Sequence, residues 1–239
     1  MLFRSSMSHE LRTPLNAVIG FAQLLLMGKA TPVKQREYTE YILRSGNHLL
    51  ALINDVLDFA KIEAGDLRVS LAAIDVADLL AEFASTMRPA AAAKELTLTV
   101  APVEDSLPAI RGDRARLMQI LLNLASNAIK YNRPAGSITV ATSQPSTASL
   151  RITVTDTGVG MPADKLDEVF QPFNRLGAEA GPIEGTGIGL SICKRLADLM
   201  GGTIGFTSDQ GVGSAFWIDL PVDSDARAGA RPISRARAV

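Results

Sequence analysis

Asn123-Leu124-Ala125-Ser126-Asn127-Ala128-Ile129-Lys130-Tyr131 decides how the chain has to be read. It closes a helical pattern from Asp113 to Tyr131, which Asp113 can cap and in which Leu117, Leu121, Leu124 and Ala128 make an apolar stripe. Asn123, Asn127 and Lys130 recur at helical spacing on a separate face. Two amide oxygens and an ammonium on one face offer hard ligands for a divalent cation and a point charge for phosphate. That set suits a Mg2+-bound polyphosphate. Taken alone, the spacing is equally that of an amphipathic helix with a polar outer face.

Downstream, Leu150, Ile152 and Val154 alternate with Arg151, Thr153 and Thr155, so a strand in this register puts Asp156 on the inward side. A carboxylate there needs a donor, and the exocyclic amine of adenine is a candidate. Gly158 and Gly160 follow in Thr157-Gly158-Val159-Gly160-Met161, where missing side chains let the backbone approach a ligand. A second glycine-rich loop, Gly185-Thr186-Gly187-Ile188-Gly189-Leu190, leads into a helix from Ser191 to Met200, and its amides with the helix N-terminus suit an anion. One such loop is a weak signal by itself.

Around this centre, short strand patterns alternate with helices. Strands are expected at Leu67–Leu71, Leu96–Val100, Ile138–Thr142 and Leu150–Thr155, with Thr203–Thr207 and Ser214–Leu220 as a closing pair, and a helix at about Asp75–Ala92. The expectation is an α/β sandwich with a mixed sheet over residues 66–222. After Val222 the chain turns to Ala, Arg, Gly and Ser, so 223–239 reads as a disordered tail or linker.

Residues 1–65 read differently. Leu11, Leu15, Val18, Ala22 and Leu25 form one heptad stripe; Gly28 to Pro32 break the helix, and Tyr38, Ile42, Ser45, Leu49, Leu52, Val56 and Phe59 form another before Gly65-Asp66. Two long helices joined by a short loop make an antiparallel hairpin, and two hairpins would close a four-helix bundle. Homodimerisation is the physical expectation, with an intramolecular pair packed on the following domain as the alternative. Ser8-His9-Glu10-Leu11-Arg12-Thr13-Pro14-Leu15-Asn16 lies in the first helix. At about 100° per residue His9 projects about 160° from the stripe, into solvent, with Thr13 one turn on. A neutral imidazole is a nucleophile, and the adjacent Glu10 carboxylate can take the proton from its other nitrogen. Pro14 clashes with the carbonyl four residues back and should bend the helix. His48 has no carboxylate beside it and reads as structural.

The Ser8–Asn16 string resembles the phosphoacceptor box of the sensor histidine kinases of two-component signalling. Asn123–Tyr131, Asp156–Gly160, Val169-Phe170-Gln171-Pro172-Phe173 and Gly185–Leu190 resemble the N, G1, F and G2 boxes of their catalytic domain, in the same order. The likeness runs from His9 to about Leu220. It implies an α+β multidomain protein: a helical hairpin forming a dimeric four-helix bundle, then the Bergerat-type ATP-binding fold shared with DNA gyrases and mismatch-repair ATPases. It also implies Mg2+ at Asn127 with Asn123 close by, phosphates at Lys130, the nucleotide at Tyr131 and adenine at Asp156. Gly158, Gly160, Phe173, Gly185, Thr186, Gly187, Gly189 and Leu190 would shape the ATP site. Arg175 matches a position that reaches the γ-phosphate in some members, and Gln171–Gly185 would be a mobile lid. Thr13 matches the residue that orients water in members with phosphatase activity.

The implied chemistry is autophosphorylation of His9 from ATP, then transfer to an aspartate of a response regulator; with no receiver-like segment after Leu220, that aspartate is expected from another protein or from sequence not present here. A gyrase-type ATP hydrolase is the enzyme alternative, but Asn123 stands where those relatives carry the water-activating glutamate, and an amide is no general base. A non-catalytic ATP-binding scaffold is the other. Composition removes further classes. Of 239 residues 47% are hydrophobic, enough for real cores, and a net charge of -1 gives no nucleic-acid surface. The single cysteine, Cys193, can form no internal disulfide, which fits a cytoplasmic setting, and reads as packing. The longest apolar run, Ala17 to Met27, is too short to span a bilayer. The opening residues read as the continuation of an earlier helix, so a fragment is expected, with any membrane anchor outside it.

Overall fold

The computed structural model describes residues 2–104, 107–174 and 187–223, with residues 2–10 described in their backbone alone. Packing divides the chain into two compact units, Met1–Leu67 with Glu168–Ile192, and Arg68–Asp167 with Cys193–Val239.

The first unit is built on a helical hairpin. Helix α1 spans Leu2–Leu26 and α2 spans Pro32–Glu63. Gly28 takes φ 65, the left-handed turn that ends α1. Thr31 caps α2 and Pro32 opens it, where a missing N–H costs nothing. Phe21 of α1 stacks on Tyr41 at 4.7 Å and tilts against Tyr38 at 5.4 Å, which fixes the register of the pair. Along the heptad stripe of α2, Leu52 is buried and Tyr38, Ile42, Leu49, Val56 and Phe59 are half-buried. Leu15, which periodicity places in the α1 stripe, is exposed instead, as are Ile19 and a second α2 row of Leu43, Leu50 and Leu57.

The second unit holds the sheet. Its strands are β1 Ala72–Ile74, β2 Thr97–Val100, β3 Ile110–Gly112, β4 Ser137–Ser146, β5 Ser149–Asp156, β6 Thr203–Asp209 and β7 Gly213–Pro221. A five-stranded sheet runs in the order β2-β4-β5-β7-β6, parallel between β2 and β4 and antiparallel elsewhere, and β1 pairs with β3 in a small second sheet. The mixed sheet is as expected. The strand expected at Leu67–Leu71 is not there: it begins at Ala72, because the Ser70 N–H goes to the Asp113 side chain at 2.9 Å rather than to a partner strand. β3 has no expected counterpart.

Helices α3 (Val76–Ala92) and α4 (Arg114–Lys130) cover the inner face. Ile138, Val140, Leu150, Ile152, Val154, Ile218 and Leu220 from the strands, with Phe83 from α3 and Leu117, Leu121 and Leu124 from α4, are almost wholly buried. Alternation along each strand does this, and burial at about 25 cal/mol per Å² drives it. On the outer face Arg151 forks onto Asp219 with both bonds at 2.7 Å, and its guanidinium lies 4.6 Å over the Trp217 ring. Trp217 lies flat across Gly205, where any Cβ would come within 2.6 Å of the indole. Helix α5, Gly189–Leu199, and a short 3-10 helix, Ala163–Glu168, complete the described elements.

Candidate functional site

Within the second unit the polar face of α4 is set by its cap. Asp113 Oδ1 accepts the N–H groups of Ala115 and Arg116, both at 3.1 Å, while Oδ2 accepts Ser70 N–H. Burial pushes this carboxyl up, but the N–H groups of Ser70, Arg116 and Ala115 and the Arg116 charge outweigh it and hold Asp113 below its ordinary value. With the stripe of Leu117, Leu121, Leu124 and Ala128 buried, Asn123 and Asn127 are half-buried on the other side and Lys130 is exposed. Asn127 donates from Nδ2 to Asn123 Oδ1 at 3.3 Å, so the two amides stand side by side and the Asn127 oxygen is turned to face away from that bond.

The helix end is tied to the loop after β5. Tyr131, half-buried, is the last residue of α4's cap, and its carbonyl accepts Val159 N–H at 3.1 Å. Gly158 lies against that carbonyl, where a Cβ would be 2.4 Å from the oxygen, and Gly160 takes φ 62 with a Cβ position 2.0 Å from the Asp209 carbonyl. Neither position admits a side chain. Asp156 ends β5, partly buried on the inner face, and accepts the Gly158 N–H at 2.8 Å. Burial raises its carboxyl above the ordinary value, against the pull of the Gly158 and Ser214 N–H groups.

Asn132 is a hub that the sequence reading missed. Its Nδ2 donates to the Ala128 carbonyl at 2.9 Å and the Ser137 carbonyl at 3.3 Å, and its Oδ1 accepts from Arg133 N–H at 3.0 Å and the Thr157 hydroxyl at 3.4 Å. One side chain thus joins the end of α4, the start of β4 and the Asp156 loop. Its only signal in the sequence is an Asn directly after the helix and four residues before Gly136, a common turn composition.

The first unit carries the other expected residues. His9 and Glu10 lie in α1, and their side chains are outside the described residues. Thr13 is exposed and Pro14 is buried inside the helix. Phe173 takes φ 65, donates its N–H to the Gly187 carbonyl at 3.0 Å and meets the Phe59 ring edge-on at 5.5 Å. Gly187 takes φ 69, and Gly189 and Leu190 begin α5. Arg175, Gly185 and Thr186, most of the expected lid, and the tail beyond Asp223 lie outside the described residues.

Among the described residues no group of three or more His, Cys, Asp or Glu could hold a metal ion. The amide pair of Asn123 and Asn127 offers one or two oxygens, which fits a cation that arrives with most of its ligands already supplied by phosphates and water.

Both parts of the chain match known families. Residues 2–65 match the His Kinase A (phospho-acceptor) domain, and residues 112–224 match the Histidine kinase-, DNA gyrase B-, and HSP90-like ATPase. Sensor protein GacS of Pseudomonas syringae pv. syringae is 44% identical over 225 residues, covering 91% of this chain and 24% of GacS. The chain therefore spans about a quarter of that relative's length. Full-length ShkA in complex with AMPPNP superposes with a TM-score of 0.68 at 38% identity, over 92% of this chain and 46% of that one. Histidine kinase ThkA in complex with the response regulator TrrA has the same fold, with a TM-score of 0.67 at 22% identity over 93% and 61% of the two chains.

Proposed function

Since this chain belongs to the sensor histidine kinase family, we propose that it transfers the γ-phosphoryl group of ATP to His9 and passes it on to an aspartate of a response regulator. Residues 1–65 would be the acceptor and dimerisation hairpin, 66–222 the ATP-binding domain and 223–239 a tail or linker. The observation that carries the reading is the Val159 N–H to Tyr131 carbonyl bond at 3.1 Å, which joins the helix bearing Asn123, Asn127 and Lys130 to the loop bearing Asp156. One rigid frame then holds both ends of a nucleotide.

In this reading Asp156 accepts the adenine amine, Tyr131 lies against the nucleotide, Lys130 meets phosphate, and Asn127 and Asn123 hold Mg2+, which neutralises triphosphate charge when bound. Gly158 and Gly160 let the loop close on the Tyr131 and Asp209 carbonyls, which holds Asp156 in place. By the family resemblance Phe173, Arg175, Gly185, Thr186, Gly187, Gly189 and Leu190 would belong to the ATP site as well. The neutral His9 nitrogen attacks the γ-phosphorus; an N–P bond forms, the bond to the bridging oxygen breaks, and its electrons leave with ADP. Glu10 takes the imidazole proton. A phosphohistidine is reactive enough to hand the group to a carboxylate of the regulator. Thr13, exposed on α1, orients water for the reverse task of dephosphorylating it. The exposed rows of Leu43, Leu50 and Leu57 on α2 and Leu15 and Ile19 on α1 supply the faces of a homodimeric bundle. Among the described residues no helix is long and apolar enough to cross a membrane.

The test is incubation with γ-phosphate-labelled ATP and Mg2+, beside His9→Gln and Asn127→Ala. Acid-labile, alkali-stable label on the wild type alone is expected. No label while ATP still binds would overturn the kinase reading and leave a scaffold.

A further inference from the structure

The inner cross-strand rows at the centre of the sheet are apolar but for one threonine: Val140, Val154, Phe216 and Phe206 stand in one, and Thr142, Ile152, Ile218 and Ile204 in the next. The last row changes character. There Asp156 of β5 pairs with Ser214 of β7, which pairs with Ser208 of β6. The two hydroxyls are 2.9 Å apart, and Ser214 is the direct cross-strand neighbour of Asp156.

Ser208 reaches further. Its Oγ accepts Met161 N–H at 2.9 Å and donates to the Gly213 carbonyl at 3.1 Å, and with the Ser214 hydroxyl as donor its hydrogen-bonding capacity is filled. A second bond runs from Gly211 N–H to the Val159 carbonyl at 2.7 Å. The β6–β7 turn therefore grips the Asp156–Met161 loop at both ends, one through the strand pairing of Ser214 with Asp156 and the other through Ser208 on Met161. A saturated junction of this kind has one arrangement, and a carboxylate hung from it has one direction.

We infer that Ser208 is a positioning residue for base recognition, which acts through Ser214 and Met161 to aim the Asp156 carboxylate at the adenine amine. The inference rests on the proposed ATP site and adds a determinant of nucleotide choice on strands β6 and β7. A loosened loop would still bind ribose and phosphates through α4, so the effect belongs to the base alone.

Equilibrium binding of ATP and of inosine triphosphate, in which an oxygen replaces the exocyclic amine, separates these terms. The wild type should prefer ATP by about a hundredfold, because an oxygen facing Asp156 finds no donor. Ser208→Ala should weaken ATP about tenfold and leave inosine triphosphate nearly unchanged, so that the preference collapses, while Ser208→Thr, which keeps the hydroxyl, restores it. Equal losses for both nucleotides, or no loss, would overturn the inference while leaving the ATP site intact. A wild type that binds both alike would overturn the adenine reading of Asp156 and the inference with it.

Discussion

The hairpin and the sheet domain handle apolar residues in opposite ways. On α2, Leu43, Leu50 and Leu57 remain 64%, 57% and 51% exposed, at a spacing of seven that keeps them on one line. On α4, Leu117, Leu121 and Leu124 are at most 1% exposed. A sheet with helices on one face can bury its apolar rows within one chain. Two helices meeting along a single seam leave the rest of each apolar surface in water, and only another surface can finish it. The sheet domain is thus a closed object, whereas the hairpin leaves a row of leucines uncovered.

The strongest challenge to this contrast is a cavity. Leu121→Ala should cost about 3 kcal/mol in the sheet domain, with a denaturation midpoint that does not change with protein concentration. If the loss is under 1 kcal/mol, α4 is not the closed core described. Next in size, Leu50→Lys should weaken self-association at least about thirtyfold, roughly 2 kcal/mol, read by sedimentation, with the sheet transition unmoved. An unchanged oligomeric state would mean that the exposed row is merely solvated.

Asp113→Ala should cost about 1–2 kcal/mol by removing the cap of α4. Because the N–H groups lower this carboxyl in the folded state, its contribution is complete above the pH at which an unfolded aspartate titrates, about 3.9, and is lost as pH falls through the depressed folded value. The variant and the wild type should therefore converge in stability only in strong acid, as followed by denaturation against pH. Asp156, raised by burial, goes the other way: on acidification ATP affinity should begin to fall at a pH where a surface aspartate is still charged, and an affinity flat through that range would contradict its role. The smallest effect is Arg36→Ala. Its pair with Glu40 on α2 leaves the side chains 85% and 59% exposed, so stability should stay within about 0.5 kcal/mol.

Periodicity made the long elements legible, because a stripe at steps of three and four has one physical meaning over many turns. It placed Leu117, Leu121, Leu124 and Ala128 inside and alternated Leu150, Ile152 and Val154 inward, which put Asp156 on the correct side of the sheet. β1 and β3 are three residues each, too short to show alternation, and they exist because they pair with each other across a long stretch of chain. Leu15 belongs to its stripe by spacing, yet it stays exposed because one seam is too narrow to cover every member. Asn132, Ser208 and Ser214 were invisible for another reason. Their meaning comes from register, and serines at strand ends look like ordinary turn residues until the pairing of β5, β7 and β6 lines them up beside Asp156.

The indole stacked between Arg151 and Gly205 gives the molecule an optical asymmetry. Trp217 is the sole tryptophan of the sequence and sits on β7, three residues beyond Ser214, while the hairpin carries only Tyr38 and Tyr41 of its kind of chromophore. Light absorbed by tryptophan alone therefore reports on the sheet and is blind to the hairpin. Emission excited at the red edge follows the sheet unit by itself, whereas far-ultraviolet ellipticity follows the helices of both units, so a loss of ellipticity with no change in emission belongs to the hairpin.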